Sequence, residues 1–420
     1  MLTHPGPGEF TAQRERTAET RQVGELLRTA RQALGLSIAF LSRMDGTHQH
    51  IEILDSATPV TGRRMTNPVE MTFCQAIMDG RLPPVIPDMT AYPEAMEMPG
   101  ARVAHIRSFV SVPVKLSDGS VYGTFCAAGL APDDRLSARD LALMEVLAQA
   151  ASVIIEPGLR QQERLSEIER RIGPVIADGG PTVLLQPIVD LVTRRRTGAE
   201  ALSRFPKEWQ QPPDACFAEA SAIGERHRLE LLALRRAADH LAHVSGYVSM
   251  NVSPSTLLTR ECTDFLDRLP LGRVVLELSE HDPVEDYDAL KAALGPLRAR
   301  GMRLAIDDVG AGFSSLRHIV ITAPDVIKLD RSMIAGISGD TVLGVVANAL
   351  VDLAGVTGAQ LVAEGIETEA DARTLEELGV DLGQGWHFGA ATTVSDLRDY
   401  YPGGDRQFPV GVTGSAGAAA

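Results

Sequence analysis

The chain has 420 residues, 44% of them hydrophobic and 23% charged, and a net charge of −15. That length supports two or three folded domains, and the acidic balance excludes the basic footprint needed for a nucleic-acid duplex or an anionic membrane surface. The four cysteines, Cys74, Cys126, Cys216 and Cys262, are scattered without a CxxC pair, which fits a reduced, cytoplasmic setting.

The N-terminus, "MLTHPGPGEF", has no basic segment followed by an apolar core, so it does not read as a signal peptide. No apolar run is expected to be long enough to cross a bilayer. Residues 1–20 are polar and expected to be disordered. From about residue 21 to 156 the pattern is helix, strands, helix. "VGELLRTARQALG" is an amphipathic helix closed by Gly35, and "SIAFLSRM", "HIEILDSA", "SFVSVPVKL" and "VYGTFCAAG" read as strands. "SDGS" supplies an Asp-Gly turn between the last two. The long helix "SARDLALMEVLAQAASVII" closes this block, which describes an α+β domain with an antiparallel sheet. Pro157 and Gly158 are expected to break that helix, leaving 157–174 as a separate helical linker.

From 175 to 402 strand and helix patterns alternate. The strands are "TVLLQPIVDL", "RTGAEALSRF", "GYVSMNVS", "RVVLELSE", "MRLAIDDVG", "DVIKLD", "AQLVAEGIE" and "LGQGWHFG". Eight strands, mostly alternating with helices, point to a (β/α)8 barrel. The first two are joined by "VTRRRT", too short for a helix, so this is a modified TIM-type barrel with an antiparallel first strand. Residues 403–420, rich in Gly, Ala and Ser, are expected to be a disordered tail.

In such barrels the active site forms at the C-terminal ends of the strands, and the polar residues of this block collect there. Glu200 closes the second strand, Asn251 the third, Glu277 and Glu280 the fourth, Asp307 and Asp308 the fifth. Lys328 closes the sixth, Glu364 and Glu367 the seventh, and Gln384 the eighth. In "RLAIDDVGAG" two adjacent carboxylates end an apolar run, where they repel each other and lose hydration unless cations balance them. Carboxylates plus one amide suit hard divalent cations such as Mg²⁺ or Mn²⁺, and the absence of His and Cys at these ends argues against structural zinc. Two ions about 4 Å apart would let both aspartates stay ionised.

At "TGAEALSRF" the block comes to resemble an EAL domain, the bacterial phosphodiesterase family that opens cyclic-di-GMP to linear pGpG. The likeness extends through "QPIVDL", "VSMNVSP", "LELSE", "DDVGAGFSSL", "DVIKLD", "VAEGIE" and "GQGWHFG". It implies that Glu200, Asn251, Glu277 and Asp307 hold a first metal, and that Asp307 and Asp308 hold a second. It also implies that Lys328 orients the attacking water and that Glu364 lies near the second metal as a base. Glu280 would anchor the loop after the fifth strand. Gln186, Leu202, Arg204, Glu367 and Gln384 would line the dinucleotide site, and the protein would be a homodimer. That loop departs from the family's usual form at Val309, Ala311 and Phe313, and no metal ligand is lost.

Residues 21–156 resemble a GAF domain, through "TFCQAIMDGRLPPVIPDM", "IRSFVSVPVKLSDGSVYGTFCAAG" and the closing helix. The resemblance implies a regulatory, sensory module and leaves its ligand open. Cys74, for which a thiol sensor or chromophore anchor is the alternative, and Cys126 are read as buried core residues, and "HQH" (48–50) as a solvated loop rather than a metal or haem site. The chain is therefore expected to be a metal-dependent cyclic-di-GMP phosphodiesterase tuned by its N-terminal module. The alternative is a non-catalytic receptor with the same fold. Such receptors typically lose the glutamate of the triplet that is Glu200-Ala201-Leu202 here, or part of the Asp-Asp pair, and this chain keeps both.

Overall fold

Alternating apolar residues in the first block build one antiparallel sheet. The computed structural model describes residues 7–57, 65–279, 282–310, 314–399 and 401; the expected tail and Glu280 lie outside them. The chain divides into two compact units, one ending at Glu167 and one starting at Ile168.

The first unit holds strands β1 (Ile38–Met44), β2 (His48–Ser56), β3 (Thr66–Pro68), β4 (Val85–Ile86), β5 (Ser108–Lys115) and β6 (Val121–Gly129), in the order β3-β2-β1-β6-β5-β4. All pairings are antiparallel. One core layer includes Val23, Leu27, Leu41, Val112, Phe125 and Met144, drawn from the sheet and from helices Pro7–Leu34 and Ala138–Ala177. A second includes Phe40, Phe73, Cys74, Met89, Phe109 and Cys126.

Three details of the first block differ from the sequence pattern. The opening helix begins at Pro7 rather than near residue 21. "HQH" is the start of β2, with His48 exposed and Gln49 buried, because the turn before it is satisfied locally by Asp45, whose carboxylate accepts from the backbone of Thr47 and His48. The helix Ala138–Ala177 runs unbroken through Pro157 and Gly158. Proline forfeits one helical hydrogen bond there, and Gly158 gives room to the Glu19 carboxylate, which a β-carbon would meet at 2.6 Å. The same helix contains a stretch long and apolar enough, by length and composition, to cross a membrane, contrary to the expectation that no such run exists. Met144, Leu147, Ala148 and Ala151 of that helix are buried in the first unit's core.

In the second unit the same helix ends by packing Ile168, Ile172 and Ile176 against Cys216, Ala220 and Leu229. Strands β7 (Thr182–Asp190), β8 (Arg196–Arg204), β9 (Tyr247–Asn251), β10 (Val274–Ser279), β11 (Arg303–Val309), β12 (Val326–Leu329), β13 (Gln360–Ala363) and β14 (Leu382–Gly383) close into a barrel. β7 is antiparallel to both β8 and β14, and the other pairings are parallel. As expected, this is a TIM-type barrel with one inverted strand.

Strand periodicity sets the barrel's interior. One layer is apolar: Ile188, Tyr247, Val275, Ala305, Val326, Val362 and Leu382. The remaining strand, β8, gives Gly198, where a β-carbon would strike the Tyr247 ring at 2.7 Å. Side chains two residues apart share a face, so the next layer toward the mouth is Glu200, Ser249, Glu277, Asp307, Lys328, Glu364 and Gln384. β7 runs the other way, so Gln186 precedes Ile188 by two. The apolar layer is a plug, and the polar layer stands on it.

Candidate active site

Lys328 is the centre of that polar layer. Its ammonium is 1% exposed and Nζ lies 2.6 Å from Glu364 Oε1, 3.0 Å from Glu277 Oε2, 3.0 Å from Asp307 Oδ1 and 3.4 Å from Glu200 Oε2. Burial disfavours its charge, yet Asp307, Glu200, Glu277 and Glu364 outweigh burial and raise its pKa well above the ordinary lysine value. It stays an ammonium ion.

One ammonium cannot balance four carboxylates in a site this dry. Burial, and then the neighbouring Glu200 charge, push the Glu277 carboxyl well above its usual range. Burial also raises Asp307 and moves Glu364 up to about 8. Only Glu200 is lowered, because Lys328 and the donors Gln384 and Asn251 overcome its burial. Gln384 Nε2 donates to Glu200 Oε2 at 2.5 Å and to Gln186 Oε1 at 3.0 Å. Asn251 Nδ2 donates to Glu200 Oε1 at 3.1 Å. Gln186 in turn donates to the Gly389 carbonyl at 3.1 Å, while Gln384 Oε1 is buried with no partner among the described residues.

The acids form two sets. Glu200, Glu277 and Asp307 each offer an oxygen within 4.8 Å of the others, and so do Asp307, Asp308 and Glu364. Asp307 belongs to both. The backbone makes this possible. The β11–β12 register shifts between Ile306 and Val309, and Asp308 adopts a left-handed conformation at φ 59°, costly for a residue with a β-carbon. In a regular strand the two aspartates would point to opposite faces; here both carboxylates reach the mouth. Two all-oxygen sets sharing one carboxylate, with more negative charge than the protein balances, fit a pair of hard divalent cations.

A cavity of about 520 Å³ opens beside the acids, lined by Asn251, Glu277, Asp307 and Asp308 on one side and by Leu202, Arg204 and Phe217 on another. That is ordinary for a small-ligand site. Of the residues expected to line the dinucleotide site, Leu202 and Arg204 line this cavity and Gln186, Glu367 and Gln384 do not; the Glu367 carboxylate is exposed and pairs with Arg331 at 2.5 Å. Ser249 was not singled out from sequence. Its hydroxyl donates to Glu277 Oε1 at 2.5 Å, and its position two residues before Asn251 on β9 was the available signal. Glu230 was also missed: it lines the cavity while bonding Ser253 and Arg226, and a lone acid in a helix carries no such signal.

Residues 170–391, more than half of the chain, match the family model described as EAL domain. The chain belongs to the EAL domain family. Residues 19–156 match the model of a GAF domain. The EAL region is 33% identical over 51% of the chain to "Probable cyclic di-GMP phosphodiesterase PdeN" of Escherichia coli strain K12, covering 44% of that protein. It is 29% identical over 48% of the chain to "Cyclic di-GMP phosphodiesterase PdeL" of the same organism, covering 60% of it. The chain thus spans about half the length of these curated relatives. Among solved structures, the Xanthomonas citri FimX EAL domain in complex with c-diGMP has a TM-score of 0.51 at 16% identity, covering 57% of this chain and 99% of that one; this likeness bears on the fold alone.

Proposed function

We propose that this chain hydrolyses cyclic-di-GMP to linear pGpG. The observation that carries it is the pair of acidic sets sharing Asp307 around a charged, buried Lys328. The names of the EAL relatives, cyclic di-GMP phosphodiesterases, supply the substrate. Glu200, Asn251, Glu277 and Asp307 would hold one Mg²⁺ or Mn²⁺, and Asp307 and Asp308, beside Glu364, a second. When bound, such a pair makes water acidic enough to attack at neutral pH and neutralises charge on the phosphoryl oxygens.

The chain's own residues do the rest. Lys328 keeps a fixed positive charge at the floor without using a ligand position, and its bond to Glu364 holds that carboxylate in place to accept a proton from water. Glu280 is assigned the anchoring of the following loop by resemblance. Gln186 and Gln384 hold Glu200 in one orientation. Arg204, half-buried in the cavity wall, pairs with a phosphate, and Leu202 beside it offers apolar contact to a base. Glu367 acts at the rim, through its pair with Arg331.

Regulation by the N-terminal GAF domain, a cytoplasmic setting and a homodimer belong to the same proposal. For the last, helix Thr341–Thr357 exposes Val342, Val345 and Val356 on one face, an apolar row suited to a second copy. The deciding experiment incubates the full chain with cyclic-di-GMP and Mg²⁺ or Mn²⁺ and follows pGpG by chromatography. Turnover that EDTA abolishes is expected; tight binding without product would favour the receptor.

A further inference from the structure

Away from the barrel, the first unit brings together two sulfurs that the sequence keeps 52 residues apart. Cys74, on the short helix Phe73–Met78, and Cys126, in β6, place their Sγ atoms 3.3 Å apart. Both are buried. A chain of polar side chains leads to them: Gln49 Nε2 donates to Ser42 Oγ at 2.9 Å, and Ser42 Oγ meets Thr124 Oγ1 at 2.8 Å. Cys126 Sγ then lies 3.2 Å from both Thr124 Oγ1 and Ser111 Oγ. We propose that Cys74 and Cys126 are a redox-active dithiol, a modification site that closes to a disulfide when a peroxide oxidises Cys74.

The two thiols are unequal. Burial pushes Cys74 up, but contact with Cys126 and the nearby polar groups of Thr124, Gln49 and Ser111 bring it down to about 7. Cys126 is held up by burial and by Cys74. The 3.3 Å contact places Cys126 to resolve an oxidised Cys74, and the lowered thiol is the one that reacts first. Cys216 and Cys262 form an internal control: they are buried too, and burial moves their thiols up to about 11 and 12.

The chemistry balances. The Cys74 thiolate attacks one oxygen of hydrogen peroxide and breaks the O–O bond. With one proton taken up, this yields Cys74 sulfenic acid and water. The Cys126 sulfur then attacks Cys74 sulfur; the S–O bond breaks, the Cys126 hydrogen leaves with the hydroxyl as a second water, and the disulfide forms. Two electrons pass from the sulfurs to the peroxide. Closure shortens the sulfur separation by about 1.3 Å, from contact to the bonded S–S length.

The test treats the native full chain with hydrogen peroxide, alkylates remaining thiols in denaturant and maps peptides without reduction. The expected result is one dominant cross-linked pair, Cys74 with Cys126, while Cys216 and Cys262 are recovered alkylated. In a folded Cys126→Ser variant, Cys74 should stop at the sulfenic acid and be captured by dimedone; in Cys74→Ser no such adduct should form at Cys126. The wild-type map needs no variant to fold. Recovery of Cys74 and Cys126 as alkylated thiols, in a tube where added glutathione is fully oxidised, overturns the proposal, as does equal oxidation of all four cysteines.

Discussion

Both units bury polar side chains inside a sheet, but they settle the electrostatics differently. In the antiparallel sheet, Ser42, Gln49, Ser111 and Thr124 are neutral and bond one another and the Cys126 sulfur. In the barrel, one lysine faces four acids, and Gln384 Oε1 has no partner among the described residues. A self-satisfied network adds rigidity and needs nothing from outside. A charge-imbalanced one suits cations, and under the proposed function its protons and stability depend on them.

That contrast can be broken most sharply at Asp307. Asp307→Asn removes the carboxylate common to both acidic sets, and turnover of cyclic-di-GMP should fall by about 10³-fold or more; a rate within a few-fold of wild type would mean that Asp307 is not shared. Next in size, Lys328→Met leaves the acids without their ammonium. Urea unfolding in EDTA should show a loss of about 3–5 kcal/mol, part of it restored by Mn²⁺. Equal loss with and without metal would show that cations and Lys328 do not balance the same charge.

The wild-type protein should itself respond to metal. At a hundred times the dissociation constant, Mg²⁺ or Mn²⁺ should stabilise the barrel unit by about 2.7 kcal/mol. Burial moves the Glu364 carboxyl up to about 8, so at pH 7 it holds a proton that a cation must displace. Calorimetry in buffers of different ionisation enthalpy should therefore record proton release, and proton uptake would contradict the assignment. Smallest is Ser42→Ala in the neutral network, which strands the Gln49 amide. Thermal unfolding should show a cost of about 1–2 kcal/mol, the same with or without divalent ions.

Much of the barrel was legible because its strands alternate a plug residue with a mouth residue: Val275 then Glu277, Ala305 then Asp307, Val326 then Lys328. The same rule places Ser249 beside Asn251, though only the amide drew attention. Local punctuation misled in two places. Pro157 and Gly158 look like a helix break, but glycine there answers a packing demand from Glu19. "HQH" looks like a turn, but Asp45 satisfies the turn ahead of it. Glu367 shows the limit of position at a strand end, since its side chain is exposed and pairs with Arg331.

By itself, then, the order of residues determined the two-block architecture and the row of acids at the strand ends, because period-two alternation and strand-helix succession are local properties of the chain. Tertiary structure alone decided that Asp307 serves two sets, since this depends on barrel closure and on the left-handed turn of Asp308. It also decided that Cys74 touches Cys126, because a contact between distant segments is fixed by packing and leaves no trace in spacing.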